Sequence, residues 1–491
     1  MQLSKSDYML FLRHPAWLWL KKHDKDKLPP VDAATQAVFD TGHAFEPYAE
    51  QQFTNGVTLG FNDYKEYLSL PERTSKALED GVKTIFQGRF EYGQLTFICD
   101  IINVVEDKTV DLIEIKSSTS AKPEHILDLA FQMIVLEGCG YTVRNVSVMH
   151  VNNQYVRKDE IKADEIVSTT DVTEDVKEKK AFTIGKSGEA LDILALKQCP
   201  DTSPTLTGLG AFKEWLEIYK TLDPQPEKSI FELGSLNAKA LEIFTENGIS
   251  KIDEIPENLS ISSGIDKQLR AYRNHGPIID KLRIKQFLGS LKFPLYFFDY
   301  ETLSSLVPYF DGMRPYAQYP FQYSLHILDS PDADLRHLEY LHADNSNPAE
   351  SVVNAMRSHF GDSGSIVTWN MGFEKGCNDA LADFVPESSE FLKKINERIV
   401  DLMVPFSSGA YVDHRFKGSA SIKAVLPILV PELSYKVLGI QDGQTAQRAW
   451  MEVVLDEKRP DEKEQVLSDL IEYCGLDTLA MVEIYIRLDS L

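Results

Sequence analysis

Cysteine is scarce in this chain: five residues in 491, at positions 99, 139, 199, 377 and 474. No two form a CxxC pair and the count is odd, so the sequence supports neither a zinc site nor a disulfide framework. Positive charge is also short. Lysine and arginine number 51 against 75 aspartate and glutamate, a net charge of −24. That argues against a protein coated in basic surface for tight non-specific duplex binding. It leaves room for an enzyme that grips phosphates through metal ions and a local basic groove. Long apolar runs are missing as well. None would span a bilayer, and the opening residues Met1-Gln-Leu-Ser-Lys-Ser-Asp7 have no apolar signal region. These absences predict a cytoplasmic protein with no membrane partner.

What is present reads as a globular protein, 43% hydrophobic and 26% charged. The length exceeds one ordinary core, so two or three domains are expected. Three regions separate. Residues 1–200 begin with helical pattern and continue with β-rich runs at 95–105 and 109–116, joined by a hairpin turn at Glu106-Asp-Lys108. A helix is predicted over 123–137, stopped by Gly138 and Gly140. The polar stretch 169–180 reads as a surface excursion. Residues 201–290 are helical, with a helix-hairpin-helix-like element around Gly248-Ile249 or a plain helical spacer. From 291 onward, strand-like runs at 296–300, 321–328 and 365–369 alternate with helical stretches, an α/β pattern.

The run Pro294-Leu-Tyr-Phe-Phe-Asp-Tyr-Glu-Thr302 is a buried strand ending in two acids. Residues i and i+2 of a strand share a face, so Asp299 and Glu301 converge. Two carboxylates forced together repel unless a cation sits between them, and oxygen-only sets suit Mg²⁺ or Mn²⁺. Further acids follow. In Trp369-Asn-Met-Gly-Phe-Glu374 a strand turns into a helix that starts with Glu374 near its positive end. In Tyr473-Cys-Gly-Leu-Asp477 the tyrosine and the acid are i and i+4 on one helix face.

These three motifs resemble the DnaQ-like, DEDDy-type 3′–5′ exonucleases of the RNase H-like superfamily. Their pattern is DxE, then NxxFD, then YxxxD. The resemblance implies that Asp299, Glu301, Glu374 and Asp477 hold two Mg²⁺ or Mn²⁺ ions and that Tyr473 positions the attacking water. Glu374 stands where Asp is usual; Asp379 and Asp401 are fallbacks. Asn370 and Lys423 are candidate substrate contacts. Lys423 lies in the segment 418–427, which fits a substrate-side element; it and His414, just before the segment, are candidate phosphate contacts, with surface or core roles as the alternative.

A second constellation lies in the first region. Asp100 falls in the first run of the hairpin, Glu114 and Lys116 form Glu-Ile-Lys on the second, and Gln132 follows on the helix. A lysine beside two acids makes an ordinary ion pair or orients the water that attacks a phosphodiester. The pattern resembles RecB-like PD-(D/E)xK nucleases. It implies Asp100 and Glu114 as metal ligands, Lys116 as the catalytic lysine and Gln132 as the motif glutamine, with Leu136 where Tyr is usual. Residues 39–46 resemble the early helix of that branch, with His43 or Glu46 as an added ligand. Many relatives hold an iron–sulfur cluster. Here His14 occupies the usual first cysteine position and only Cys199 survives downstream, so no cluster is expected and ordinary packing must tie the fold together.

The whole chain resembles a bacterial family of uncharacterised fusion proteins. The implied fold is α/β multidomain: a PD-(D/E)xK restriction-endonuclease-like domain over 1–200, a helical linker over 201–290, and an RNase H-like exonuclease domain over 291–491. The implied activity is metal-dependent hydrolysis of DNA, with RNA open. Two other readings stand beside it: a non-catalytic nucleic-acid-binding protein with decayed sites, and a metal-dependent phosphohydrolase of nucleotides.

Overall fold

The computed structural model describes residues 1–30 and 33–491, with residues 33–41 as backbone alone. Two mixed α/β sheet regions are separated along the chain by a stretch rich in helices. The chain divides into two compact units. One comprises Met1–Gln225 with Asn237–Glu242 and Leu306–Pro315. The other comprises Pro226–Leu236, Ile243–Ser305 and Tyr316–Leu491.

The first unit is built on a six-stranded sheet in the order Val57–Thr58, Thr84–Phe86, Ile101–Glu106, Thr109–Lys116, Thr142–Val151 and Val167–Asp171. The predicted hairpin is there: Ile101 pairs antiparallel with Ile113 and Asn103 with Asp111. The strand Thr109–Lys116 then pairs parallel with Thr142–Val151. A parallel neighbour demands a crossover, and the helix Pro123–Gly138 supplies it. Val110 and Leu112, which share a strand face with Glu114 and Lys116, pack with Leu129, Met133 and Leu136 of that helix. The face carrying the Glu-Ile-Lys pair therefore looks at the helix carrying Gln132.

One expectation needs correction. The run 95–105 is not one strand. Leu95–Ile98 belongs to a separate three-stranded sheet with Leu3–Ser4 and Arg89–Tyr92, and Ile101–Glu106 belongs to the large sheet. The chain changes partners at Cys99–Asp100, where Asp100 Oδ2 accepts the Ile115 N–H at 2.7 Å. The polar stretch 169–180 is also regular. It ends the edge strand Val167–Asp171 and opens the helix Thr173–Ala195. It lies at the surface, as expected, mostly in solvent-facing positions of an edge strand and a surface helix.

His14 ends up as a structural residue. Its ring stacks on Trp215 at 3.9 Å, caps the helix Pro15–His23 through the Ala16 N–H, and meets the Ser203 carbonyl at 3.0 Å. Trp17, Trp19 and Ile218 pack around this stack. In the helical stretch, Gly248 takes φ +66° after the helix Ala238–Glu246, the left-handed turn that glycine supplies without strain.

The second unit holds a five-stranded sheet in the order Arg336–Leu341, Tyr319–Leu328, Leu295–Leu303, Ser365–Thr368, Ile399–Asp401. In chain order this is three-two-one-four-five. The first three strands are antiparallel, and the last two run parallel to the first. The central strand is apolar on both faces because both are covered. Tyr296, Phe298 and Tyr300 pack on Val352, Val353 and Met356 of the helix Ala349–His359 and on Leu381 of Met371–Phe384. Leu295 and Phe297 face Met481, Ile484 and Tyr485 of the last helix, Lys463–Asp489. Gln322 Nε2 ties that helix to the sheet through the Leu470 carbonyl at 2.8 Å.

Phe297 has no exposed surface, and truncating such a residue leaves a cavity under the last helix. Phe297→Ala should destabilise the second unit by about 3–5 kcal/mol, read as a lowered urea midpoint. Val437→Ala, at an 85% exposed position, should leave it unchanged.

Candidate metal and active-site clusters

Asp299 and Glu301 lie on the face of the central strand that looks at the last helix, as the two-residue period requires. Asp299 is partly exposed and Glu301 buried. A register shift between Glu301 and Thr302 bends the strand at this point. Asp299, Glu301 and Cys474 offer ligand atoms that all lie within 4.8 Å of one another, a cluster able to coordinate a metal ion. Cys474 comes from the last helix, and its Sγ is 3.9 Å from the Asp299 carbonyl. Burial, and after it the charge of Asp299, pushes its thiol well up. Hard ions such as Mg²⁺ and Mn²⁺ prefer oxygen donors to sulfur, so for them the carboxylates are the donors and Cys474 a wall of the site.

Asp477 sits one turn further along that helix. Its Oδ1 accepts the Tyr435 hydroxyl at 2.5 Å. Tyr473 lies close enough for Asp477, Glu301 and Asp299 to raise its hydroxyl, after burial, far above the ordinary range. Glu374 is buried at the start of the helix Met371–Phe384, near the Thr368 hydroxyl, and neither its Oε2 nor that hydroxyl makes a close hydrogen bond. The same helix explains Asp401. Its carboxylate accepts the N–H groups of Asn370, Met371 and Met403, so that fallback is spent on capping a helix whose Asn370 stands at φ +79°. Asp379 accepts from Asn396 on the surface.

The electrostatics are those of a site short of positive charge. Burial, then Asp477, Glu374 and Glu301, drive the Asp299 carboxyl far above its usual range. Glu301 is raised by burial and Asp477, with Lys423 pulling the other way. Burial pushes Glu374 up to about 8 and Asp477 up to about 6, the latter against its bond from Tyr435. Among the described residues none of these four acids forms an ion pair. Lys423 is nearby, with Nζ 5.6 Å and 5.7 Å from the Tyr435 and Tyr473 ring centres, but it donates to the Gln441 carbonyl at 2.8 Å. The helix Gly443–Trp450 also points its positive end here: a Cβ on Gly443 would lie 3.6 Å from Glu301 Oε2. An orphaned buried oxygen and four unneutralised carboxylates fit one or more hard divalent cations.

The N-terminal constellation also assembles. One step beyond the Ile101/Ile113 pair, Asp100 stands level with Glu114, as predicted. Glu114 is 1% exposed. Lys116 Nζ donates to Glu114 Oε1 at 2.6 Å and to Asp128 Oδ2 at 3.2 Å, and Gln132 Nε2 donates to Glu114 Oε2 at 2.7 Å and to Asp128 Oδ1 at 3.1 Å. Lys5 Nζ joins them, 2.7 Å from Glu114 Oε1. Burial opposes the charge on Glu114, but Lys116 and Lys5 hold its carboxyl well below the usual range. Asp100 is pushed up to about 7 by burial and Glu114. Leu136 lies in the core of this unit.

Not every candidate joins a cluster. His43 is exposed and pairs with Glu46 at 3.1 Å. No hydrogen bond or ion pair among the described residues links it to Asp100 or Glu114. The side chains of Phe39, Asp40 and Thr41 in the same motif lie outside the described residues. His414 packs edge-on against Tyr272 at 5.5 Å. Asn370 is exposed beside Asp401. Sequence reasoning missed Lys5, Asp128 and Tyr435. Asp128 carried a signal, being one helical turn before Gln132 on the same face; Lys5 and Tyr435 carried none.

Residues 296–421 match a family model described as "Domain of unknown function (DUF2779)". Similar proteins include an uncharacterized protein of Mycoplasma pneumoniae, 28% identical over 233 residues, which are 44% of this chain and 35% of that protein. An uncharacterized protein of Mycoplasma genitalium is 27% identical over 226 residues, 43% of this chain and 34% of the other. One of Ureaplasma parvum is 25% identical over 235 residues. The matched parts are about a third of the length of these relatives. The chain thus has a distant link to an uncharacterised family. Among the described residues no helix is long and apolar enough to cross a membrane.

The raised carboxyls set a pH dependence. An unfolded Glu carboxyl titrates near 4.5, whereas Glu374 in the folded protein without metal is pushed up to about 8. The folded chain holds that proton longer, so stability present below 4.5 is lost as pH rises toward 8. In EDTA, Glu374→Gln should therefore melt higher than the unsubstituted protein at pH 8 and nearly equal to it at pH 4.5. Mn²⁺ should raise the unsubstituted protein more than the variant. A melting difference independent of pH would refute this account of the site.

Proposed function

We propose that this protein is a metal-dependent nuclease that hydrolyses phosphodiester bonds of DNA, or of RNA, with 3′–5′ exonuclease chemistry in an RNase H-like domain over residues 291–491. Residues 1–200 then form a RecB-like PD-(D/E)xK domain with a second nuclease-like site, and 201–290 a helical linker. The observation that carries the reading is the cluster of the partly exposed Asp299 with the buried Glu301, Glu374 and Asp477, without ionic partners and beside Tyr473. The three-two-one-four-five strand order, with the acids at the end of the first strand, supports it.

Asp299, Glu301, Glu374 and Asp477 hold the cations, and Tyr435 fixes Asp477 by engaging Oδ1. Bound Mg²⁺ or Mn²⁺ supplies a hydroxide nucleophile near neutral pH and neutralises charge on the phosphate. Tyr473 keeps its proton and orients the attacking water. Lys423, exposed above the two tyrosine rings, meets a phosphate oxygen of the bound strand.

The test is cleavage of end-labelled single-stranded and duplex DNA and RNA with Mg²⁺ or Mn²⁺. Stepwise shortening from the 3′ end is expected. It should fall about 10²-fold or more in Asp299→Ala and about 10²-fold in Tyr473→Phe, and persist in Lys116→Ala. Metal-dependent hydrolysis of nucleotides but not of polymers would move the assignment to a nucleotide phosphohydrolase. Binding of oligonucleotides without hydrolysis of any substrate would leave a nucleic-acid-binding protein.

A further inference from the structure

The two acid clusters solve the same electrostatic problem differently, and the difference lies in Lys5. The strand Leu3–Ser4 pairs parallel with Leu95–Thr96, five residues before Asp100. Ser4 then caps the helix Lys5–Arg13 through a reciprocal bond with Asp7, which makes Lys5 the first helical residue. A cation at that end opposes the helix dipole, so Lys5 is held there by the acids it faces. Its Nζ is 2.7 Å from Glu114 Oε1, 3.9 Å from Asp128 Oδ2 and 4.0 Å from Asp100 Oδ1. Lys116 Nζ reaches the same Glu114 oxygen at 2.6 Å.

With all three acids ionised, three carboxylates facing two ammonium groups leave one net negative charge, and a proton on Asp100, whose carboxyl is pushed up to about 7, brings it to zero. Adding a divalent ion would overcharge the cluster and crowd a third cation onto acids already shared by two. With Lys5 withdrawn, the net charge is −2, which matches one divalent ion. Gln132, fully buried, gives Nε2 to both Glu114 and Asp128 and leaves its Oε1 without a partner.

We propose that Lys5 is a latch on the N-terminal site: its ammonium takes the cation position among Asp100, Glu114 and Asp128, excludes divalent metal, and leaves when a nucleic-acid phosphate draws it away. Lys5 is long, partly exposed and tied only by ionic contacts, so it can exchange a carboxylate for a phosphate oxygen without unfolding its helix. Phosphate binding and metal loading at this site are then positively coupled. The phosphate half rests on the nuclease reading; the exclusion of metal does not.

The experiment is Mn²⁺ titration followed by electron paramagnetic resonance, on the full chain carrying Asp299→Asn and Asp477→Asn so that the C-terminal cluster does not contribute. With Lys5 present, Mn²⁺ binding should be weak. Lys5→Met should bind one Mn²⁺ about 10-fold or more tightly, and adding Asp100→Asn should abolish that gain. Lys5→Arg, which keeps the charge, should show none. A single-stranded oligonucleotide should tighten Mn²⁺ binding about 5-fold or more when Lys5 is present and have no further effect in Lys5→Met. Circular dichroism checks each fold, with Lys5→Gln as the second neutral variant. Equal Mn²⁺ affinity with and without Lys5 overturns the latch, whatever the cleavage assays give. Absence of any cleavage by the unsubstituted protein, with the Mn²⁺ gain in Lys5→Met intact, overturns the nuclease reading and leaves metal exclusion standing. A gain in Lys5→Met with no oligonucleotide effect overturns only the phosphate trigger.

Discussion

Repulsion between carboxylates that the fold forces together is the constraint around which the second unit is arranged. Asp299 and Glu301 must share a face because they are two apart on a strand, and that strand cannot slip: Phe297 and Phe298 are buried on opposite sides of it. The last helix brings Asp477 to the same place, and the helix after the fourth strand brings Glu374. Their neighbours reduce the cost without cancelling it. Tyr435 gives Asp477 a hydrogen bond, the Gly443 helix end lies against Glu301, and Lys423 stands off at the rim. What is left over is a deficit of positive charge in a low-dielectric place, the condition that gives a metal ion its affinity.

The first unit begins from a similar geometry and arrives at the opposite balance. There too a strand brings acids to a helix, with Glu114 on the strand and Asp128 and Gln132 on the helix. But Lys116 is built into the same strand face, and Lys5 is delivered by a two-residue strand at the chain's beginning. Two ammonium groups replace what the second unit lacks. The same residue types thus give a cation-hungry cluster in one unit and a nearly neutral network in the other. The decisive variable is lysine placement rather than the number of acids.

Much of this was legible in the chain. The hairpin, its crossover helix and the alternation of strands and helices after residue 291 follow from periodicity and from breakers such as Gly138 and Gly140. The pairs Asp299/Glu301, Glu114/Lys116 and Tyr473/Asp477 follow from the two-residue and four-residue repeats. The misreadings have local causes. Residues 95–105 are continuously β-prone, so nothing in their composition marks the change of sheet at Asp100. Asp401 looked like a spare ligand, yet three backbone N–H groups claim it.

The sequence by itself determined which residues share a face, because side-chain direction along a strand or helix is set by backbone geometry over a few residues. It therefore carried each motif as a local pair. Only the tertiary structure decided which pairs meet and what surrounds them. Tyr435 reaches Asp477 across 42 positions and Lys5 reaches Glu114 across 109. Contacts at such separations depend on how whole elements pack, and no repeat in the sequence encodes them. The charge balance of each cluster, and with it the readiness to take a metal ion, is a property of those long-range contacts.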